Sequence, residues 1–379
     1  MKKIRIGIIG AGFIGNVHAG AYQNIQHYYG NDIIPELVAV ADINEEKAKR
    51  LCEKHNMNRY TTDWKEIVTA DDIDAVVIAT YNDSHVPIAI EAAKNGKHIH
   101  SEKPLGMSGE ETEMAVKAIE ESGVVASVAF NTCKHPVQEY VKRIIASGEL
   151  GEVISFRGSS DQDFYLDDPT HKQDFVWRMT KKYAGSGALS DLAAHTISLS
   201  QYIVGDIESV SGITKILFPQ RPDYYDESKI YDVDNDDIVQ FTYKYKNGAL
   251  GYIVSSRVAA GRKMGVDYEI QLTKGSVKFT LEHMNEVQIY RHHENPDERG
   301  FKTVMVAPGH GDYSKFYGGA GIEIGYSDGK IIDAYHFLKN VSEGSKPEID
   351  FCFGDKVNKV IDAVLESADA DGAWTKVKS

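Results

Sequence analysis

The chain has little cysteine, no long apolar run and no excess of basic charge. Its three cysteines, Cys52, Cys133 and Cys352, are odd in number, far apart and in no CxxC pair. That argues against a disulfide framework or a cysteine zinc site and fits reduced thiols in a cytoplasmic protein. No stretch approaches the roughly 18 apolar residues of a membrane span, so no membrane partner is expected. The formal net charge is −14, and a nucleic-acid surface would need a basic stripe. Neither an internal repeat nor a low-complexity tract is evident. A secretory leader is not expected either: Lys2 and Lys3 precede an apolar run, but Arg5 interrupts it, glycines dilute it and no small-x-small cleavage site follows.

What the chain does have is 379 residues, 42% of them hydrophobic and 26% charged, an ordinary balance for a globular protein. That length exceeds one typical core and predicts two domains. We place the boundary where the pattern of elements changes, giving a dinucleotide-binding domain over 1–129 and a substrate-binding and oligomerisation domain over 130–379.

The stretch that organises the first domain is Ile4-Arg5-Ile6-Gly7-Ile8-Ile9-Gly10-Ala11-Gly12-Phe13-Ile14-Gly15. An Ile-rich run reads as a buried parallel strand, and it leads directly into Gly10-x-Gly12-x-x-Gly15. Gly10 permits a tight turn, Gly12 lets backbone approach a pyrophosphate, and Gly15 lets the next helix pack close. The N–H groups and dipole at that helix's start then favour phosphate. A second apolar run, Leu37-Val38-Ala39-Val40-Ala41, ends in Asp42, whose carboxylate can take the adenosine ribose hydroxyls and repels a 2′-phosphate. NAD is therefore expected over NADP. The gap from Gly15 to Asp42 exceeds the roughly 20 residues usual for this fingerprint, and we assign the excess to an insert around 26–35.

Strands and helices alternate to about residue 129, which predicts a doubly wound parallel sheet with ligand crevices at the strands' carboxyl ends. At such ends lie the glycine turn, Asp42, Thr80-Tyr81-Asn82 and Glu102-Lys103-Pro104. After Phe130 come a helix over 137–147, a polar aromatic loop over 161–183 and a helix over 188–204. Strand-like segments joined by hairpin signals such as Lys246-Asn247-Gly248 then indicate a large, mostly antiparallel open sheet in an α+β domain. Helices over 329–342 and 354–368 close the chain. The stretches 219–237 and 292–326 read as long irregular loops.

An enzyme that passes hydride to a nicotinamide needs a group to take the hydroxyl proton. Lys103, after a parallel strand and between Glu102 and Pro104, is one candidate; the alternative is a surface lysine in a loop. Asp191 and His195 stand at i and i+4 on the 188–204 helix, hence on one face. The alternatives there are a pair that merely satisfies a half-buried helix, or two ligands of a metal without a recognisable third. Small residues from Gly185 to Ala188 crowd the helix start, as where backbone approaches a ligand. Gln162, Asp163, Trp177 and Arg178 in the polar loop offer polyol contacts. Tyr224, Tyr225 and Tyr231 suit an interface equally well, and Asp234-Asn235-Asp236-Asp237 reads as a solvated turn rather than a calcium loop.

These residues together resemble the Gfo/Idh/MocA oxidoreductase family, in its sugar and inositol dehydrogenase branch. The resemblance rests on Gly10–Gly15, Ala79-Thr80-x-Asn82, Gly96-Lys97-His98, Glu102-Lys103-Pro104-Leu105 and Gly185-x-Gly187-Ala188-Leu189-x-Asp191-x-x-x-His195, and on the later Gly261-Arg262-Lys263, Asn285-Glu286 and Asp362-Ala363-x-Leu365-Glu366-Ser367. It implies a catalytic Lys103 with Asp191 and His195 as partners. NAD would be held by Gly10, Gly12, Phe13, Ile14, Asp42, Thr80, Asn82, His85, Glu102 and Lys103. The substrate, a sugar, glycoside or cyclitol, would meet Lys103, Gln162, Asp163, Trp177, Arg178, Asp191 and His195. A homodimer or homotetramer built through the C-terminal sheet is implied as well. Other readings are a glycoside 3-oxidase that recycles tightly held NAD, and a catalytically silent NAD-binding sensor or scaffold. The chain departs from the family at Leu192-Ala193-Ala194, where a glycine is usual, at Ser198, where an acid is frequent, at Thr132-Cys133, where Tyr-Arg is common, and at Tyr81, where proline is frequent. Those departures bear on the substrate rather than on the reaction.

Overall fold

The computed structural model describes residues 2–166, 175–223, 226 and 228–378. The expected interface residues Tyr224 and Tyr225, and the 167–174 part of the polar loop, lie outside the described residues. The chain divides into two compact units, Met1–Lys134 with Gly325–Asp355, and His135–Ile324 with Lys356–Ser379.

The first unit opens with β1 (Lys2–Ile9), α1 (Phe13–Tyr29), β2 (Ile33–Ala41), α2 (Glu45–Lys54), β3 (Arg59–Thr61), α3 (Lys65–Val68), β4 (Ala75–Ile78), α4 (Asn82–Lys94), β5 (His98–Ser101), α5 (Gly109–Ser122) and β6 (Ala126–Val128). The six strands form one parallel sheet in the order β3-β2-β1-β4-β5-β6. β1 sits at its centre, covered on both faces. That is why its second half reads as an Ile-rich apolar run. The order reverses between β1 and β4, the position where such sheets open a crevice. The expected insert around 26–35 is not a loop: α1 simply runs on to Tyr29, and β2 begins at Ile33.

The second unit contains α6 (Pro136–Ala146), β7 (Val153–Asp161), α7 (Phe175–Arg178), α8 (Lys181–Ala184), a π-helical turn (Leu189–Ala193), α9 (Ala194–Ile203), β8 (Ile207–Lys215), β9 (Gln220–Pro222), β10 (Ile230–Asp232), β11 (Ile238–Tyr245), β12 (Leu250–Ser256), β13 (Gly265–Leu272), β14 (Gly275–Thr280), β15 (Glu286–Arg291), β16 (Lys302–Met305) and α10 (Tyr313–Phe316). β9 and β10 pair within 219–237, and β16 and α10 give structure to 292–326, both read from sequence as irregular. The main sheet runs β16-β15-β14-β13-β7-β12-β11-β8-β17, where β17 is Thr375–Lys376. Its pairings are antiparallel except β7 with β12. α9 lies flat on β7: Thr196 Oγ1 donates to Ser159 O at 3.1 Å, and a Cβ on Gly158 would sit 2.4 Å from the Thr196 methyl.

Two long helices remain. α11 (Tyr326–Glu343) falls in the first unit, although the whole β-rich segment precedes it in the chain. α12 (Phe351–Asp369) begins there and continues into the second. The units are thus discontinuous, unlike the contiguous division drawn from the change of pattern. Among the described residues, no helix is long and apolar enough to cross a membrane.

Candidate active site

In the first unit, Gly10 adopts φ +103°, and a Cβ there would lie 2.3 Å from Ala79 O, so only glycine fits this turn. Gly12 differs: a Cβ on it would meet nothing within 4 Å. The room over Gly12 is therefore not filled by any of the described residues. α1 starts immediately after it, with no side chain capping it and no acid in its first turn. Uncapped amides facing open space, at the positive end of a helix dipole, are the donor set a pyrophosphate needs. At the tip of β2, Asp42 accepts from Ala11 N at 2.7 Å and from Asn44 N at 2.8 Å. Asn44, not Asp42, caps α2. Phe13 and Ile43, adjoining these groups, are large apolar side chains left exposed at 74% and 86%. The set fits a dinucleotide, whose nicotinamide supplies a hydride acceptor when bound.

After β4, Thr80 and Asn82 flank Tyr81 at the start of α4, and Ser84 Oγ donates to Thr80 Oγ1 at 2.7 Å. His85 is buried between Pro104 O, 2.8 Å from Nδ1, and Thr80 O, 3.2 Å from Nε2. Its imidazole therefore sits between the loops that follow β4 and β5. Lys103 follows β5, and its peptide bond to Pro104 is cis. Across 101–106 only Lys103 escapes burial.

Glu102 directly precedes Lys103. Its carboxylate is buried and turned inward: Oε1 accepts from His18 Nε2 at 2.8 Å and from Lys330 Nζ at 2.6 Å, while Oε2 accepts from Lys103 N at 3.2 Å. It is thus taken up within the protein. Burial alone would raise this carboxyl, but the Lys330 ammonium and the His18 bond outweigh it and hold it well below the usual carboxylate range. Burial, reinforced by Lys330, pushes His18 down to about 4, so its imidazole is neutral. Beside this trio, His100 Nε2 donates to Asp333 at 3.1 Å and Nδ1 accepts from Tyr22 OH at 2.7 Å. His18, Tyr22, Lys330 and Asp333 were not singled out from sequence. The available signal was Lys330 and Asp333 at i and i+3 around Ile331-Ile332, charges on the apolar stripe of a helix.

In the second unit, Asp191 and His195 do share a face. Across 186–203 they are the two positions not fully buried. The local helix is wider than expected: Leu189–Ala193 form a π turn, a feature common at functional sites, before α9 begins at Ala194. Ser160 Oγ donates to Leu192 O at 2.9 Å, satisfying a carbonyl of that turn. The start of the turn is capped from afar. Asp236 accepts from Gly187 N at 2.6 Å and Leu189 N at 2.8 Å, and its own carbonyl takes Ala188 N at 2.8 Å. The small residues here thus let backbone approach Asp236: a Cβ on Gly187 would lie 1.9 Å from Asp236 O. That corrects the expectation of a ligand at this spot.

The acidic run is likewise not a solvated turn. Asn235, Asp236 and Asp237 are buried. Asp237 takes Arg257 Nε at 2.7 Å and the amides of Leu217 and Phe218, and Asn235 Oδ1 accepts from Arg257 Nη2 at 2.9 Å. Asn235 Nδ2 and Arg257 Nη1 both donate to Arg178 O, at 2.9 and 3.2 Å. This scaffold aims Arg178, whose guanidinium lies over the Trp177 ring and donates to Asp191 Oδ1 at 2.9 Å. Three of the expected substrate residues thus meet. Gln162 and Asp163 are held by the 259–264 loop: Gln162 Nε2 donates to Met264 Sδ at 3.2 Å, and Asp163 pairs with Lys263 at 2.6 Å.

Residues 4–130 match the model of an oxidoreductase family with an NAD-binding Rossmann fold, and residues 139–278 match the GFO/IDH/MocA C-terminal domain. The chain belongs to the Gfo/Idh/MocA family. Within it, the chain is similar to the levoglucosan dehydrogenase of Pseudarthrobacter phenanthrenivorans, at 34% identity over 100% of this chain and 99% of that one. A solved structure of levoglucosan dehydrogenase with NADH and levoglucosan has a TM-score of 0.95 at 35% identity, each chain fully covered at 100%. The scyllo-inositol 2-dehydrogenase (NAD(+)) of Bacillus subtilis is 30% identical over 75% of this chain and 76% of its own. As in the family, the first unit is an NAD-binding Rossmann fold, and the chain is an NAD-dependent oxidoreductase.

Proposed function

We propose that this family member oxidises a secondary hydroxyl of a sugar, glycoside or cyclitol. The observation that carries the reading is the end-to-end likeness to levoglucosan dehydrogenase, a protein whose structure holds both NADH and levoglucosan. Lys103 and His195 are assigned to the handling of the hydroxyl proton. As the carbinol carbon gives up its hydride, His195, with Lys103, accepts the hydroxyl proton, and a C=O bond forms. Asp191 holds the charge and orientation of His195. Arg178, Trp177, Gln162 and Asp163 hold the remaining hydroxyls, the Trp177 ring offering an apolar face to a pyranose. Gly10, Gly12, Phe13, Ile14, Asp42, Thr80 and Asn82 hold the dinucleotide.

Association through the open sheet belongs to the same proposal. Ile213, Leu250 and Tyr252 are exposed on one face, beside a groove of about 300 Å³ floored by Ser211, Gln240 and Thr242. Light scattering is expected to return a dimer or tetramer.

The test is NADH formation with levoglucosan, L-sorbose, scyllo- and myo-inositol, glucose and aryl glucosides. Turnover with at least one, lost on Lys103→Ala and His195→Ala, supports the reading. No turnover across the panel, or full activity in Lys103→Ala, sinks it. Accumulating NADH with a single sugar separates a dehydrogenase from an oxidase that recycles its cofactor.

A further inference from the structure

We propose that the buried Glu102–Lys330 ion pair is a positioning device for Lys103. It fixes the carboxylate that takes the Lys103 amide, and so fixes the backbone from which Lys103 reaches substrate. The proposal rests on the reading that Lys103 touches substrate.

Lys330 comes from α11, 228 residues away in sequence, and its side chain is 1% exposed. With His18 neutral, the Glu102 carboxylate and the Lys330 ammonium balance each other, and both are charged. An apolar pair of equal volume would serve stability as well or better. What an apolar pair lacks is an acceptor for Lys103 N, 3.2 Å from Glu102 Oε2. Lys330 is itself aimed by a second anchor on the next turn of α11, where Asp333 meets His100, and His100 meets Tyr22. Tyr335 stacks on Tyr29 at 3.6 Å between centroids, docking the same helix along α1. The other side of Lys103 is held independently, by His85 on Pro104 O. The loop is thus clamped before and after the one side chain it leaves uncovered. A displacement of about 1 Å at such a group can cost on the order of 100-fold in rate.

The experiment compares Lys330→Met, Glu102→Met, the double variant and Lys103→Ala. Because Lys330→Met leaves an unmatched buried carboxylate and can fail to fold, the double variant, which removes both charges, carries the test. It is expected to unfold within about 5 °C of the wild type and to bind NADH, by fluorescence, within about threefold. Its kcat with the best sugar of the panel is expected to fall about tenfold or more. Amide hydrogen exchange of a peptide spanning 101–106 is expected to quicken. A double variant with kcat within twofold of the wild type, or with unchanged exchange in that peptide, overturns the proposal. If Lys103→Ala stays active, the functional reading fails instead, and the exchange measurement still decides whether the pair holds the loop.

Discussion

Arg178 donates to Asp191 across 2.9 Å, and the pair is neither buried nor free in solvent, with side chains 38% and 28% exposed. A pair at that depth can be reached by a sugar hydroxyl and is still partly shielded from water. Arg178 is bonded to Asp191 and is assigned to the substrate, so Arg178→Met is expected to raise KM for the sugar about tenfold. Asp191→Asn, which alters the group assigned to set the charge of His195, is expected to act mainly on kcat. Steady-state kinetics of both variants with the same sugar check this split. Equal losses in kcat from the two would argue against it.

Asp42 is assigned to the ribose. Asp42→Ala is expected to raise KM for NAD about tenfold and to narrow the preference over NADP. Parallel titrations with the two dinucleotides measure it. A wild-type enzyme that turns over NADP more efficiently would remove the basis of the assignment.

Gly187→Ala places a methyl 1.9 Å from Asp236 O, a backbone atom that cannot swing aside. The cap on Gly187 N and Leu189 N must then shift, and the turn carrying Asp191 shifts with it. A loss of about 2 kcal/mol of stability is expected, together with a fall in kcat. Thermal unfolding and turnover measure the two effects. Gly12→Ala meets no protein atom within 4 Å, so it should spare stability and weaken NAD binding.

Stability should fall in acid with a defined sign. His18 is pushed from an ordinary 6.5 down to about 4, by burial first and by Lys330 second. Below pH 6.5 the unfolded chain therefore binds a proton that the folded chain refuses. The resulting loss is on the order of 3 kcal/mol by pH 4. Buried His135, also at about 4, acts in the same direction. Glu102 adds to it: its folded value is depressed, so its contribution is present above an ordinary 4.5 and is lost as pH falls through the folded value. Unfolding midpoints between pH 7 and 4 should drop steeply, and less steeply in His18→Gln.

Much of this was legible from the chain, for reasons that differ by element. β1 and its glycine turn announce themselves because a strand covered on both faces is apolar over most of its length, and because Gly10 and Gly15 answer steric demands. Asp191 and His195 were legible through helical spacing. Their π turn was not, because it depends on Asp236 and Ser160, far away in sequence. The acidic run 234–237 misled because clustered charge usually seeks water; at Asp236 and Asp237, Arg257 and four backbone amides replace it. The role of Glu102 was hidden for a similar reason, since its cation arrives from α11. Helical periodicity shows which face of α11 is apolar, not which sheet receives it.

That late arrival of α11 also orders events during synthesis. A ribosome must reach residue 343 before the nascent N-terminal sheet meets all of α11. Until then, the emerged segment holds a carboxylate destined for burial with no cation to meet it. The sheet therefore matures only after the intervening β-rich segment has left the exit tunnel, and a fragment ending at residue 134 would lack the lysine that closes it.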